Sequence, residues 1–450
     1  MLKRKKPAKQ KDIQAEALKD LYRVATVCRM CKSLNLFLYL DLGFTPHADQ
    51  FRTALELDIP EIFYPLRVLM CENCGLSQLS HVVNPKVLYQ FDYPYEQSMT
   101  RTGQAHWDSF AEYVVDNLKL KKNDVVVDIG SNVGTLLESF KKLGMKTIGI
   151  DPAPNIVEIA NKEHGIKTIC DFFGMKSAKK VKKLVGPAKV IVGTNVFAHI
   201  DDLDEVMRAV KFMLKKNGVF IFESPYFKYL VESLEYDTIY HEHLSYLSVK
   251  PLVPFFAKFG MEVFMIQETH IHGGSFRVFV AMIGSRLIDA SVPKFLRAEK
   301  KSKLHEKETM LQFAEQVRRN RDELMTVIEK LLHQGKKVAA VSAPAKGMTL
   351  LNYIGISNRH IRLISEKARL KIGRFAPGGH GGGHIPVVSD DDLVKEGVDY
   401  ALLLAWNFSK EIIDNLKDFS NKGGKFIIPI PSPRIVEADE YKKVNLISPA

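Results

Sequence analysis

Val125-Val126-Val127-Asp128-Ile129-Gly130-Ser131-Asn132-Val133-Gly134-Thr135-Leu136-Leu137 reads as a strand, a turn and the start of a helix. The β-branched apolar run is that of a strand buried on both faces, the glycines let the backbone approach a ligand, and Thr135 opens the helix. A second run, Thr147-Ile148-Gly149-Ile150-Asp151-Pro152-Ala153, ends in a carboxylate roughly 20 residues beyond Asp128, where it can accept both hydroxyls of a ribose. The turn lacks the Gly-x-Gly-x-x-Gly that seats a pyrophosphate on a helix N-terminus, which argues against NAD and FAD. S-adenosylmethionine offers a ribose and no phosphate. The pattern therefore predicts an S-adenosylmethionine site from Asp128, Gly130, Ser131, Asn132, Gly134, Asp151 and Pro152, with Asp171, Phe172 and Asn195 after the next strands. Asp128 fits a residue orienting the amino acid end of the cofactor; its other reading is a turn cap.

Composition bounds what surrounds this site. A chain of 450 residues suggests about three domains, and 46% apolar residues can fill several cores. No stretch reaches the roughly 18 consecutive apolar residues of a membrane span, and the basic N-terminus lacks an apolar signal region, so a cytoplasmic protein without a membrane partner is expected. The net charge of +12, concentrated in Lys3-Arg4-Lys5-Lys6 and Lys179-Lys180-Val181-Lys182-Lys183, suits an anionic partner or simply a solvated surface. Four of five cysteines form Cys28-x-x-Cys31 and Cys71-x-x-Cys74, two knuckles able to give four thiolates to one tetrahedral zinc. A closed four-thiolate site leaves no position for substrate, so this zinc is expected to be structural. Cys170, beside Phe172 and Phe173, reads as a buried small apolar residue.

Beyond the quoted run the rhythm is β/α. Strands are expected at 124–129, 146–150, 167–170, 189–194 and 218–223, with a helix from Gly103 to Leu118 before them and one from Leu203 to Leu214 among them. Val263 to Gln267 and Phe276 to Ile283 read as a hairpin through Gly273-Gly274, an antiparallel edge completing a class I methyltransferase fold by analogy. Residues 296–333 carry apolar positions at helical spacing and predict one long amphipathic helix. Lys337 to Val341, Arg362 to Ile364, Tyr400 to Leu404 and Lys425 to Pro429 supply a second β/α set. The fold class is α/β: a class I methyltransferase Rossmann-like domain between a small zinc-binding domain and a second Rossmann-like domain. Its segments are a basic tail (1–20), the zinc module (21–97), the methyltransferase domain (98–290), a helical connector (291–333) and the C-terminal domain (334–450).

The densest polar cluster is Asp237-Thr238-Ile239-Tyr240-His241-Glu242-His243, after the strand ending Phe222-Glu223-Ser224-Pro225-Tyr226 and so near the carboxyl end of the sheet. It reads as acid/base machinery, a His-x-His metal site, or structural hydrogen bonding; sulfonium methyl transfer needs no metal. A carbon nucleophile must first lose a proton, and this cluster offers a base. His199 adds an imidazole on the same rim, to steady an enolate oxygen or to cap the helix begun by Asp201-Asp202. Thr194-Asn195-Val196-Phe197 stands where exocyclic-amine methyltransferases carry an Asn/Asp-Pro-Pro-Tyr tetrad, and Cys170 has no flanking proline, so nucleic acid is disfavoured as a partner.

With these residues in view the chain resembles the sugar C-methyltransferases that act on nucleotide-linked 4-keto deoxysugars. The similarity runs from Cys28 to Pro431 through the paired knuckles, Gly130-Ser131-Asn132, Gly149-Ile150-Asp151-Pro152-Ala153, Ala198-His199, Asp237 through His243, His272-Gly273-Gly274-Ser275, Ala343-Pro344-Ala345-Lys346-Gly347 and His384-Ile385-Pro386. The resemblance implies that Glu242 and His243 are the candidate bases, that His199 and Tyr240 steady the enolate, and that Tyr95 reaches the sugar. It also implies substrate contacts at His241 and His272, and a C-terminal domain helping to hold the nucleotide sugar. Lys346, at a helix start, suits a diphosphate or carboxylate, or is a plain surface lysine. Two departures stand out: Val133 replaces an acidic residue of the family's glycine turn, and Pro377-Gly378-Gly379-His380-Gly381-Gly382-Gly383-His384 expands a short Pro-Gly-Thr-His pattern. The expected partner is a small-molecule nucleotide sugar, bound by a monomer or weak oligomer. The alternatives are O- or N-methylation of another small molecule, and a non-catalytic assembly protein.

Overall fold

The computed structural model describes residues 21–90, 93–95, 101–269, 273–379 and 383–439. Two compact units are each assembled, among the described residues, from separated stretches of chain: one from 21–38, Val68–Lys228 and Glu242–Glu306, the other from Tyr39–Arg67, Tyr229–His241 and 307–439.

In the first unit the quoted run forms β1 (Val125–Ile129), buried at every position. Each such Val or Ile side chain contributes about 1.5–3 kcal/mol when fully buried. It is followed by β2 (Lys146–Asp151), β3 (Thr168–Cys170), β4 (Ala188–Thr194) and β5 (Leu214–Pro225), all parallel, and by the hairpin of β6 (Met261–Thr269) and β7 (Ser275–Met282). The sheet order is β3-β2-β1-β4-β5-β7-β6, with β7 antiparallel to β5. This is the class I methyltransferase topology expected above, and its strand order reverses between β1 and β4, where such sheets bind ligands. The Arg101–Asn117 helix lays Trp107, Phe110, Ala111 and Val114 on Val126, Val190 and Phe279 of the sheet.

Two expectations are corrected. Cys170 is exposed, because it is the last residue of the edge strand β3. The helix expected over 296–333 is two helices, Ser291–Lys301 and Lys307–His333, parted by a turn in which Lys303 takes φ 54.

The knuckles also belong to the first unit. Met70 and Val68 pair with Ser77 and Leu79 in an antiparallel hairpin whose tip carries Cys71 and Cys74, and Ser245–Tyr246 pairs with the outer side of that hairpin.

In the second unit β8 (Val338–Val341), β9 (Ile364–Ser365), β10 (Val387–Val388), β11 (Tyr400–Leu403) and β12 (Lys425–Ile428) are parallel, and β13 (Arg434–Val436) is antiparallel. Their order, β10-β9-β8-β11-β12-β13, is that of a Rossmann-like sheet, with Ala339, Val341, Leu403 and Phe426 in its core. Among the described residues no helix is long and apolar enough to cross a membrane.

Candidate active site

The glycine turn after β1 closes over the end of β2. Gly130 and Gly134 have φ of 66° and 88°, and a Cβ at either would stand 2.7 Å from Val196 or 2.6 Å from Ile166, so only glycine fits. Asn132, at φ 48°, donates its backbone N–H to Asp151 Oδ2 at 2.9 Å, and Ala153 N–H donates to Oδ1 at 2.9 Å. These bonds fix the carboxylate at the strand end. Burial outweighs them and holds Asp151 at about 6. Asp128 is deeper: burial, then the neighbouring Asp151, keep its carboxyl well above the usual carboxylate range. Asp128 Oδ1, Ser131 Oγ and Asn195 Oδ1 are buried without a hydrogen-bond partner among the described residues. Unmet polar atoms of this kind around a glycine turn fit a polar ligand bearing an ammonium and hydroxyl donors. Asp171 N–H donates to Asp151 O at 3.1 Å, and Phe172, partly buried, meets Tyr89 edge-on at the rim.

His199 ends a short turn after β4, and its ring lies 4.8 Å from that of His243. Burial, then His243, press the His199 imidazole well below its usual pKa, so it is neutral at pH 7. Its Nδ1 shares a hydrogen bond of 3.2 Å with the Tyr89 hydroxyl, while Nε2 is buried with no partner among the described residues. Glu242 is buried as well and accepts from the Tyr93 hydroxyl at 3.2 Å. A neutral imidazole with a free nitrogen, a second imidazole in ring contact and a buried carboxylate are groups chemically able to exchange a proton.

The polar run 237–243 spans the boundary between the two units. Glu242 and His243 join His199 in the first unit, whereas Asp237, Tyr240 and His241 count with the second. There His241 is buried against the edge of Tyr64, Tyr240 is half-buried, and Asp237 accepts from Trp406 Nε1 at 2.7 Å. Lys346 follows β8 at the start of the Ala345–Ile354 helix, 3.7 Å from Asp237 and over the Trp406 ring. Its charge is met inside the protein. Tyr95 is exposed, with its carbonyl accepting from Asn132 Nδ2 at 3.1 Å; His272 lies outside the described residues.

The four knuckle sulfurs lie within 4.8 Å of one another, with Cys28 to Cys74 and Cys31 to Cys71 each 3.5 Å. Four thiolates around zinc at about 2.3 Å stand roughly 3.8 Å apart, so the set fits the ion. Without a cation only partial ionisation is sustainable: the hydrogen bond from Cys74 draws Cys28 down to about 5, while Cys74, through the same bond, and Cys71, through burial, are pushed up. A dication removes that conflict.

Three family models match along the chain: a zinc binding domain over residues 28–89, a methyltransferase domain over 101–265 and a C-methyltransferase C-terminal domain over 270–431. C-methyltransferase NovU of Streptomyces niveus is 34% identical over 423 residues, 94% of this chain and 99% of that protein. The chain belongs to the C-methyltransferase family. Ubiquinone biosynthesis O-methyltransferase of Pelagibacter ubique shares 27% identity over 117 residues, 24% of this chain and 47% of that protein. Among solved structures, an S-adenosylmethionine-dependent methyltransferase from Clostridium acetobutylicum, at 15% identity and TM-score 0.32, covers 40% of this chain and 92% of that one. As a C-methyltransferase the chain is an S-adenosylmethionine-dependent enzyme with a zinc-binding domain.

Sequence reasoning missed two groups in this C-methyltransferase. Tyr89 and Tyr93, within the zinc module (21–97) but not singled out there, touch His199 and Glu242. Glu223, at the end of β5, is fully buried between His106 Nε2 at 2.9 Å and Arg277 Nη2 at 2.7 Å, and Arg277 lies flat on Phe110. Burial alone would raise Glu223, but His106 and Arg277 bring it below the usual value. Its partners come from a distant helix and strand, so no local pattern announces the triad.

Proposed function

We propose that the enzyme methylates a carbon next to the keto group of a nucleotide-linked 4-keto deoxysugar, by way of an enolate. The observation that carries this reading is the neutral, buried His199 with an open Nε2, 4.8 Å ring to ring from His243. Heteroatom acceptors need modest help, whereas a carbon acid needs a base and a stabiliser for the enolate oxygen, and both stand here. His243 or Glu242 takes the carbon-bound proton. The Tyr93 hydroxyl, on Glu242, holds that carboxylate's orientation. His199 meets the developing oxyanion through Nε2 in its protonated tautomer, with Nδ1 then accepting from the Tyr89 hydroxyl. S-adenosylmethionine supplies the electrophilic methyl: the carbon–carbon bond forms as the carbon–sulfur bond breaks, and the proton stays on the base. Asp151 is assigned to the cofactor ribose and Asp128 to its ammonium, beside Ser131 and Asn195; Pro152, Asp171 and Phe172 would line the adenine end. The roles of Tyr95, Tyr240 and His241 toward the acceptor come from the resemblance, and that of Lys346 from its charge at a helix start.

The test is incubation with a panel of nucleotide-linked 4-keto deoxysugars in deuterated water, with and without methyl-labelled S-adenosylmethionine, followed by mass spectrometry. Deuterium entering beside the ketone, or a methyl on that carbon, is expected, and both should vanish in His243→Asn or in Glu242→Gln, whichever removes the base. A methyl found on oxygen or nitrogen with no exchange would reject the enolate. Neither signal, from protein that binds S-adenosylhomocysteine, would reject the keto sugar.

A further inference from the structure

Arg29 sits between the first two zinc thiolates, yet its side chain points away from them. It is 3% exposed. Its backbone N–H donates to Gln78 Oε1 at 2.8 Å, and Gln78 Nε2 donates to Val27 O at 3.1 Å, so the knuckle is held against the neighbouring strand. From there the guanidinium reaches three acceptors: Nε donates to Asp201 Oδ1 at 3.1 Å, and Nη1 donates to Leu79 O at 2.9 Å and Leu244 O at 3.0 Å. Asp201 stands two residues after His199, and Leu244 directly follows His243. Around it, Lys32 pairs with Asp204, Lys258 donates to Met30 O and pairs with Asp204, and Arg23 pairs with Asp201, all from side chains more than a third exposed and of the kind worth little. Arg29 is the buried one.

We propose that Arg29 is a positioning residue: it sets the distance between His199 and His243 by clamping the chain segments that carry them to the first zinc knuckle. The inference rests on the reading of those two histidines as the proton-handling pair. A rigid planar fork can serve a carboxylate and two carbonyls at once, and a lysine ammonium on a flexible stem cannot hold all three directions. Leu79 ends one strand and Leu244 directly precedes the Ser245–Tyr246 strand paired with it, and Leu79 N–H donates to Leu244 O at 3.0 Å, so one guanidinium registers that pairing against the turn after β4. The zinc module thereby becomes a template for the active site, with Arg29 as the link.

The experiment uses the full-length, zinc-loaded protein with Arg29→Lys, with Asp201→Asn at the acceptor that Arg29 shares with the exposed Arg23, and with Arg23→Lys as the control for that second pair. Ring resonances of His199 and His243 are followed by NMR on histidine-labelled protein, assigned with His199→Gln and His243→Asn. Zinc content, S-adenosylhomocysteine affinity, kcat and KM are measured alongside. Arg29→Lys is expected to keep its zinc and its cofactor affinity, to move both ring resonances while that of His164 stays, and to lose about 10- to 100-fold in kcat with little change in KM. Asp201→Asn is expected to move the His199 resonance with zinc untouched. Unmoved His199 and His243 resonances in a folded, zinc-loaded Arg29→Lys overturn the proposal, as does a kcat loss that only tracks lost zinc. If Arg29→Lys fails to fold, an unmoved His199 resonance in Asp201→Asn overturns it equally. The NMR readout needs no methyl acceptor, so failure of the keto-sugar reading leaves it intact.

Discussion

Asp151→Asn isolates the carboxylate on which the cofactor assignment turns. Asp151 offers each oxygen to one backbone N–H, from Asn132 and Ala153, both at 2.9 Å, and leaves a lone pair on each for a ribose hydroxyl. A hydrogen bond to a charged group is worth about 1.5–3 kcal/mol. Asparagine keeps one acceptor oxygen, but its amide N–H₂ then faces a backbone donor and cannot accept the second hydroxyl. The expected loss is one charge-assisted bond, about 10- to 100-fold in affinity for S-adenosylhomocysteine. Titration calorimetry reads it directly, with thermal melting as a check on folding. The pH dependence supplies an independent handle. Burial first, against those two donors, holds Asp151 at about 6, above the ordinary aspartate value of about 3.9. In the unliganded protein the group therefore contributes stability that is full below pH about 4 and lost as pH rises through about 6. A ligand that donates hydrogen bonds needs the ionised form, so affinity runs the other way: it rises with pH up to about 6, by as much as tenfold per unit from this group, and then levels. Asp128, also held high, adds to that slope, so Asp151→Asn should lose one proton's share of it. A folded Asp151→Asn that binds within about threefold of the parent, with the same pH slope, would refute the assignment.

Cys74→Ser should lower bound zinc from about one equivalent per chain and lower the melting temperature, read by elemental analysis and calorimetry; full zinc retention would mean that three sulfurs suffice. Gly134→Ala, forced to φ 88° with its Cβ 2.6 Å from Ile166, should cost about 1–3 kcal/mol in denaturant unfolding and weaken S-adenosylhomocysteine binding, and a neutral result would contradict the packing described. Glu223→Gln leaves Arg277 buried against a neutral partner and should destabilise by about 3–5 kcal/mol; a change below about 1 kcal/mol would show the ion pair to be dispensable.

The central sheet was legible because β-branched runs such as Val125–Ile129 and glycine turns are local signals, and the hairpin announced itself through Gly273-Gly274. The break between the two helices after residue 291 was not, since the turn is made by Lys303 in a left-handed conformation without a glycine or proline to mark it. Cys170 was misread because its phenylalanine neighbours say nothing about its lying at a sheet edge. In the site, residues near in sequence were legible as a group but not as a geometry: nothing within 237–243 tells that the His243 ring stands 4.8 Å from that of His199. Arg29 and the His106–Glu223–Arg277 triad depend on pairings across the chain that no window of sequence contains.

The interleaving of the two units bears on how such a chain is made. Cys28 and Cys31 leave the ribosome well before Cys71 and Cys74, so the ion can first be captured by an early, local event. Arg29 cannot complete its bonds until Leu244 has been synthesised, and the second unit lacks a part of itself until Lys307 onward emerges to meet residues 39–67 and 229–241. A fragment cut at any single point from about Tyr39 to Glu306 severs one unit or both. This enzyme is therefore a poor subject for dissection into free-standing domains, and expression of residues 307–450 alone keeps the sheet core but leaves out residues 39–67 and 229–241 of the same unit.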